Sequence, residues 1–325
     1  MTTPSPTNML HSPLQKAIDS FAEWRDKHLQ IEQDTSAITT PLYHYTNADG
    51  FKGILESGSI WFTDYRHLND PTELLHGINL SHVAAQKIAA GADGRVRLFL
   101  ECLADMFRRD NFTGALEFFI TCFSRARDDL GQWRAYADNG RGVAIGFSPS
   151  LFAITAHPPL GRLPEFVGSV HYADAEIVSR HSLHLRKAAE LFLAAANANR
   201  NMLADRAIGI PFMQDFAREL IASPLIWNCL TSKHSGYIHE QEVRLVIMGT
   251  LSALSSHIKT RSRAGGTLRY IAQPIQIRAP RMIKEIVIGP AAPPDAERNI
   301  RAFLVTLGID QDVEIVRSAI PYRVS

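Results

Sequence analysis

The stretch YHYTNADGFKGILESGSIWFTDYRHLND (Tyr43–Asp70) decides the expected fold, because it contains two short aromatic strands with one helix between them. Tyrosine and leucine over Leu42–Thr46 predict the first strand. Asn47 and Asp49 are both suited to cap the helix that follows, and Gly58 to end it in a left-handed conformation. Ser59–Thr63 is predicted as the second strand. A packed core does not require a histidine between two tyrosines, so the stretch also suggests a binding site.

The composition is that of an ordinary globular chain, with 325 residues, 46% hydrophobic and 21% charged. A formal net charge of +1 does not favour wholesale binding to nucleic acid or to an anionic membrane. The three cysteines are widely spaced and form no C-x-x-C pair, which argues against a disulfide scaffold or a zinc ribbon. The sequence has no visible secretory signal and no apolar run of about 20 residues. We therefore expect a cytoplasmic protein without a membrane partner.

The remaining chain predicts short strands with helices inserted in blocks. β-prone runs predict strands at 116–124, 142–148, 165–174 and 242–248. Helices are predicted at 14–31, 95–109 and over most of 175–231, and Asp70 with Pro71 is suited to begin another. The polar, basic stretch 255–267 is predicted as an exposed loop. This order favours an α+β fold over a doubly wound parallel sheet.

The domain organisation expected from this order is simple. Residues 1–40 are predicted as an N-terminal extension with a disordered lead and one helix. Residues 41–325 are predicted as a single α+β domain of catalytic type with a helical insertion at 175–231. No G-x-G-x-x-G follows a strand and no P-loop is present, so a Rossmann fold is not favoured.

His44 has two interpretations. Alternation along the strand places it on one face with Leu42 and Thr46, and Tyr43 with Tyr45 on the other. The structural interpretation is a half-buried histidine that hydrogen-bonds to a neighbouring carbonyl. The functional interpretation is a ligand-binding donor beside stacking rings and a hydroxyl.

The segment IHEQEVRLVI carries Glu240, Glu242 and Arg244 at i, i+2 and i+4, so these side chains share one face of a strand. Such a polar face is either solvated or presents two carboxylates at the mouth of a cleft. A pair of carboxylates is suited to binding sugar hydroxyls and stabilising a positive transition state.

Other polar positions lie at strand and helix ends. Ser124 closes an apolar strand, where its hydroxyl is expected at a sheet edge or site rim. Trp133 and Tyr136 share a helical face, either for packing or as a stacking platform. Arg66 and Asn69 belong to a polar cluster that helix capping alone does not explain. No metal site is predicted, because no histidine pair has ligand spacing, and no G-x-S-x-G supports a serine hydrolase.

Together, YHYT, GIL-x-SGSIWFTDYRHLNDPTE, CFS, GVAIGF, EQEVRLV, EIVIGP and SAIPYR resemble a bacterial family known as a domain of unknown function, over about residues 41–323. A looser likeness is to the ADP-ribosyltransferase superfamily, through H-x-T on a first strand and E-x-E at a late one. That likeness implies a mostly antiparallel split β-sandwich that clamps NAD in an extended cleft.

The superfamily likeness implies roles for individual residues. His44 corresponds to a first-strand histidine that hydrogen-bonds the NAD ribose, with Tyr45 and Thr46 beside it. Phe62 or Tyr65 would stack on nicotinamide. Glu242 matches the catalytic glutamate, and Glu240 the first acidic residue of E-x-E. Ser124 would correspond to the sheet-end serine of another subgroup. Apart from the likeness, Arg66 is a candidate for binding a phosphate or the acceptor, and Asn69 for binding the cofactor.

Three classes of function follow. The first is an NAD-consuming ADP-ribosyltransferase or NAD glycohydrolase, as a toxin or in phage defence, with NAD as substrate and a protein or nucleic acid as acceptor. The second is a non-enzymatic module that senses a nucleotide or binds a partner. The third is a nucleic-acid-acting protein that contacts phosphates through five basic residues: Arg125, Arg127, Lys259, Arg261 and Arg263.

Overall fold

The computed structural model describes residues 12–68, 70, 72–108, 116–153, 162–263, 266–309 and 313–322. The chain divides into two compact units. One unit comprises 1–32, 72–114 and 171–235, and the other comprises 33–71, 115–170 and 236–325. The helix predicted at 14–31 and the helical insertion predicted at 175–231 fall in the same unit. The predicted disordered lead before residue 12 lies outside the described residues.

The second unit is built on one open, mostly antiparallel sheet, which has ten strands among the described residues. The strands are β1 Leu42–Thr46, β2 Ser59–Asp64, β3 Glu117–Ser124, β4 Val143–Phe147, β5 Phe166–Ser169, β6 Glu242–Gly249, β7 Ile258–Arg263, β8 Gly266–Pro274, β9 Ile283–Ile288 and β10 Glu314–Arg317. Their order is β10-β9-β4-β1-β3-β2-β8-β7, while β6 pairs with β3 and β5. Only the β9–β10 pair is parallel among these strands. The α+β class predicted from sequence is therefore confirmed.

β3 organises this sheet, because β6 pairs along its whole length on one side while β1 and β2 share the other. Tyr43 of β1 pairs with Ser124, and Thr63 of β2 pairs with Ile120. Continuing both registers would place Thr46 and Phe62 opposite the same residue of β3. Two strands cannot occupy one position, so β1 and β2 diverge from each other.

The helix between β1 and β2 is Ala48–Ser57; of the two predicted caps Asn47 is the N-cap, while Asp49 lies in the first turn, and the predicted end at Gly58 is confirmed. The Asn47 side chain accepts a hydrogen bond from the Gly50 amide, and Gly58 ends the helix at φ 58°. Gly58 has no Cβ to oppose that left-handed conformation. The helix buries Phe51 in the main apolar core, so it fills one side of the diverging strands.

The two faces of the sheet carry different side chains. One face builds the main apolar core, which includes Leu42, Phe62, Phe123 and Val243. The opposite face has a smaller cluster with Tyr43, Tyr45, Trp133, Ala137, Ala144 and Val287. Because cross-strand partners share a face, these clusters fix the side of the sheet to which every strand residue points.

The first unit is helical in its described part. Its helices are Ser12–Glu32, Glu73–Ala89, Gly94–Met106, Asp174–Ala198, Arg200–Leu203, Arg206–Leu220 and Ile226–Leu230, and the π-helical turn Ile221–Leu225 joins the last two. Phe99 and Phe192 stack with ring centroids 4.5 Å apart in its core. The buried Lys233 ammonium pairs with the buried Glu73 carboxylate at 3.1 Å. Burying both charges together avoids the penalty of an unpaired charge.

Three local predictions were wrong. The loop expected at 255–267 is instead the β7–β8 hairpin, in which basic side chains occupy a sheet edge that charge protects from further pairing. The strand expected at 165–174 is only Phe166–Ser169. The helix expected to begin at Asp70 and Pro71 begins at Glu73, and Pro71 lies outside the described residues.

Besides Ala48–Ser57, the described part of the sheet unit contains the α-helices Leu130–Tyr136, Ser150–Ala153, Leu251–Leu254 and Ala296–Leu307. The short helix Leu130–Tyr136 follows β3, with the Asp129 side chain accepting a hydrogen bond from the Gln132 amide at its N-terminus. The helix Ala296–Leu307 precedes β10 and buries Ile300 and Leu304. The first of these helices brings the predicted aromatic pair Trp133 and Tyr136 to the sheet.

Candidate functional site

Three side chains form a row across β1, β3 and β6. Tyr43 pairs with Ser124, and Ser124 pairs with Glu242, in the antiparallel registers of these strands. Cross-strand partners point to the same side of a sheet, so the three residues share the face of the smaller aromatic cluster. This row joins the tyrosine strand, the sheet-end serine and the E-x-E motif in one place.

Glu242 and Arg244 form a buried bidentate ion pair within β6. The Arg244 Nε donates to Glu242 Oε1 at 2.9 Å, and Nη2 donates to Oε2 at 3.1 Å. The two side chains are only 6% and 2% exposed. The predicted shared face is confirmed for Glu242 and Arg244, and both side chains are buried on it. Glu240, predicted on the same strand face, lies before the strand instead. The Arg244 guanidinium holds the Glu242 carboxylate in a fixed orientation.

Glu240 lies just before β6, in the 3-10 turn Ser235–Glu240, and its environment differs from that of Glu242. Gln241 has a φ of 45°, so the chain turns sharply between the two acidic residues. The Ser124 hydroxyl donates to the Glu240 carbonyl at 2.6 Å, and Tyr136 donates to its Oε1 at 3.1 Å. The half-buried Glu240 carboxylate therefore stands at the rim of the row.

Ser124 itself is buried, contrary to the exposed position expected from sequence. Its Oγ also accepts a hydrogen bond from the Ala126 amide at 3.0 Å. The hydroxyl thus fixes both the loop after β3 and the turn before β6. In this structure Ser124 positions the site's backbone.

Tyr43 connects the row to a second ion pair. Its hydroxyl donates to Glu285 Oε1 at 2.5 Å, and Arg127 binds the same carboxylate with Nη2 to Oε2 at 2.7 Å. Burial, and then the negative charge of Glu285, raises the pKa of Tyr43 well above its usual value. The phenol therefore stays protonated and remains a donor.

Gly146 makes this contact possible. It pairs with Tyr43 on β4, and a Cβ at this position would lie 3.0 Å from Tyr43 Cε1 and 3.0 Å from Glu285 Cγ. Sequence reasoning did not identify Gly146 or Glu285 as functional. The glycine in GVAIGF was the available signal.

Tyr45 fixes the loop that follows β3. Its hydroxyl donates to the Ala126 carbonyl at 2.8 Å and accepts from the Asp129 amide at 3.2 Å, while its ring meets Trp133 edge-on with centroids 4.8 Å apart. Burial raises the pKa of Tyr45, so this hydroxyl also stays protonated. Trp133 is fully buried, so it packs and is not a stacking platform.

Asp128 is a further residue that sequence reasoning missed. Its Oδ1 accepts from Trp133 Nε1 at 2.6 Å and from Ser318 Oγ at 2.7 Å, and its Oδ2 accepts from the Ala319 amide at 2.9 Å. Nearby, Tyr322 donates to Asn139 Oδ1 at 2.6 Å. The motif SAIPYR near the C-terminus therefore secures the loop that carries the site.

His44 lies on the opposite side of β1 from this row. Its Nδ1 donates to the Cys122 carbonyl at 3.0 Å, and its ring lies 5.7 Å from that of Phe123, a main-core residue. Burial lowers the pKa of His44, so the ring is neutral. The structural interpretation of a carbonyl-bonded, half-buried histidine is confirmed. Thr46 shares its face, so neither residue joins Glu242.

The other predicted binding residues are also separate from the row. Phe62 is fully buried in the main core and has no free ring face for nicotinamide. Tyr65 is buried edge-on against Phe118. Arg66 donates to both Asp64 and Glu117, and Arg269 pairs with the same two carboxylates. Asn69 lies outside the described residues.

Two kinds of site are absent from the described part of the chain. No group of three or more histidine, cysteine, aspartate or glutamate side chains is arranged to hold a metal ion there. None of the described helices has both the length and the apolarity that crossing a membrane requires.

Comparison with known proteins identifies one family. Residues 132–245 match the model of a family described as protein of unknown function (DUF2971), which is less than half of the chain. The matched segment includes Tyr136, Glu240, Glu242 and Arg244, so the predicted resemblance to a domain of unknown function is confirmed over this part. No curated protein and no solved structure matches the chain.

Proposed function

We propose that the protein cleaves the nicotinamide–ribose bond of NAD and transfers ADP-ribose to water or to a macromolecular acceptor. The observation that carries this proposal is the row Tyr43–Ser124–Glu242, with Glu240 at its rim. Two carboxylates in different environments suit a reaction that needs one fixed anion and one proton acceptor.

The chemistry follows from the charge that develops on the sugar. When the bond between ribose C1′ and the nicotinamide nitrogen breaks, its electron pair leaves with nicotinamide and the ribose becomes oxocarbenium-like. The Glu242 carboxylate, held by Arg244, supplies a preorganised negative charge for that state. Glu240 would accept the proton released when water or the acceptor attacks C1′.

The same proposal includes the split β-sandwich fold of the ADP-ribosyltransferase superfamily. A split sandwich needs two groups of strands that separate, and the divergence of β1 from β2 beside β3 is consistent with such a split. The superfamily role of His44 is not retained, because its side chain points away from Glu242. The residue of β1 that lies in register with Ser124 and Glu242 is Tyr43.

The test is nicotinamide release from NAD by the purified full chain. We expect Glu240→Gln to lower the rate about a hundredfold, the usual loss for one catalytic contact worth about 3 kcal/mol. Glu101→Gln, at an exposed position of the helix Gly94–Met106, is the matched control and should retain the full rate. Absence of nicotinamide release by the wild type, or full activity of Glu240→Gln, would reject the proposal.

Glu242→Gln is a second test that needs a stability measurement beside it. This change removes the anion from a buried arginine, so the fold is expected to lose stability as well. Its rate should therefore be measured at a temperature where circular dichroism shows the variant folded. A folded variant with wild-type turnover would remove Glu242 from the reaction.

One observation favours a second candidate function. The Glu242 carboxylate is almost completely buried and its charge is offset by Arg244, which leaves less negative charge for a transition state and favours a module that binds a nucleotide without turnover. Isothermal titration with NAD distinguishes the two: binding without nicotinamide release supports the sensor, and release supports the enzyme.

A further inference from the structure

The outer face of β2, β8 and β7 carries an aromatic and basic surface, which we define as Trp61, Tyr270, Lys259 and Arg261. Lys259 pairs with Tyr270, and Tyr270 pairs with Thr63 on β2. Alternation places Trp61 on the face of Thr63 and Arg261 on that of Lys259. The four side chains therefore share one side of the sheet.

The rings of this aromatic and basic surface are held in a fixed arrangement. Trp61 and Tyr270 stack with centroids 4.3 Å apart and 30° between their planes. The Arg261 guanidinium carbon lies 4.8 Å from the centre of the Trp61 ring. Trp61 nevertheless remains 40% exposed. An exposed tryptophan with a neighbouring cation is a stacking position for a planar ligand.

The charged side chains that β2, β8 and β7 direct to this face are positive. None of the described side chains that β2, β8 and β7 direct to it is a carboxylate, while Lys259 and Arg261 are exposed cations. Asp64, the carboxylate at the end of β2, lies on the other face, where Arg66 and Arg269 bind it. The surface therefore attracts an anion, and its flat rings favour an anion that carries aromatic groups.

We propose that the aromatic and basic surface binds single-stranded nucleic acid over two or three nucleotides. A base stacks on the exposed part of the Trp61 ring, beside the half-buried Tyr270, while Lys259 and Arg261 contact the adjoining phosphates. A duplex does not fit this arrangement, because its bases are already stacked on each other and present only their edges. The small net charge of the chain agrees with a short, stacking-dependent contact in place of a broad electrostatic one.

The test is fluorescence anisotropy of a labelled oligothymidylate of about 12 nucleotides, a length within the usual range for such sites. With the full chain at about 50 mM salt, Trp61→Ala should weaken binding about 10- to 100-fold, whereas Trp61→Phe, which keeps a ring, should restore most of the affinity. Arg261→Gln should weaken binding and make it less salt-dependent, by one phosphate contact. Arg298→Gln is the charge-matched control at an exposed position of the helix Ala296–Leu307 and should bind like the wild type.

Several results would overturn the proposal. These are equal affinity for a duplex of the same length, equal loss in Trp61→Ala and Arg298→Gln, or association with anionic phospholipid vesicles but not with the oligonucleotide. Circular dichroism of Trp61→Ala, compared with that of the wild type, serves as the folding control, so the test does not depend on the proposed NAD reaction. Failure of the proposed NAD reaction therefore leaves this inference standing, and the reverse also holds.

Discussion

The two sides of β1 differ in chemistry although both carry polar or aromatic side chains. On one side His44 bridges to a backbone carbonyl beside the apolar core. On the other side Tyr43 joins Glu285 and lies in register with Ser124 and Glu242. The motif H-x-T suggested that the histidine side is functional, but the register assigns the ionic network to the tyrosine side.

This difference shows that a motif residue acquires its role from the face to which it points. His44 has a structural role: its side chain hydrogen-bonds β1 to the backbone of β3 where the two strands no longer pair. A tyrosine next to it in sequence points the opposite way and meets residues from four other strands or loops. Because neighbouring residues of a strand point to opposite faces of the sheet, assigning a role to the residue one position away moves the predicted site to the other face.

Arg244→Met, which removes the buried ion pair with Glu242, is expected to have the largest effect. It leaves the Glu242 anion buried without its guanidinium, which should cost about 3–5 kcal/mol of unfolding free energy. Urea denaturation followed by circular dichroism measures this. Arg298→Met is the control, because its ion pair with Asp295 is exposed and should contribute no more than about 1 kcal/mol. Equal losses in both variants would contradict a buried ionic network.

Tyr43→Phe sharpens the comparison with a smaller change. The hydroxyl that donates to Glu285 disappears, while Arg127 still neutralises that carboxylate. We expect a loss of about 2 kcal/mol, as for a hydrogen bond to a charged group. Tyr322→Phe removes a hydrogen bond to the uncharged Asn139 and should cost about 1 kcal/mol or less in the same denaturation assay. A larger loss of unfolding free energy in Tyr322→Phe than in Tyr43→Phe would contradict a stronger hydrogen bond from Tyr43 to Glu285.

His44 gives the smallest effect, and it depends on pH. Burial lowers its pKa below the ordinary 6.5, so the unfolded chain binds a proton that the folded chain does not. The stability due to the neutral ring is present above pH 6.5 and decreases as the pH falls below it, by at most about 1.4 kcal/mol per pH unit. Wild type and His44→Gln should therefore differ in the acid slope of their stability. Parallel curves between neutral and acid pH would contradict a half-buried His44 whose folded-state pKa is lowered.

Much of the fold was predictable from local sequence. Asn47 and Gly58 bounded a helix correctly because capping depends on a few neighbouring residues. The shared face of Glu242 and Arg244 followed from strand alternation. The strand Ile258–Arg263, within the predicted loop 255–267, was missed because charged residues and glycines are typical of loops as well as of sheet edges.

The sequence predicted several residues of the site correctly, but not the face of the sheet on which they meet. E-x-E and the serine at the end of CFS were both identified, and they are in register. The partner on β1 was assigned to His44, because the sequence does not say which face of a strand receives the neighbouring strands' polar residues. Asp128 and Glu285 were missed because their partners are far away in sequence: Ser318 for the first and Tyr43 for the second.

The most direct test of the two-sided account is the rate of nicotinamide release from NAD by Ser124→Ala and His44→Gln, measured side by side under conditions where both are folded. The account predicts that Ser124→Ala loses at least about tenfold, because Glu240 is no longer held at the rim of the row, and that His44→Gln stays within about twofold of the wild type. A large loss in His44→Gln with an unaffected Ser124→Ala would place the reaction on the other face of the sheet and contradict the account.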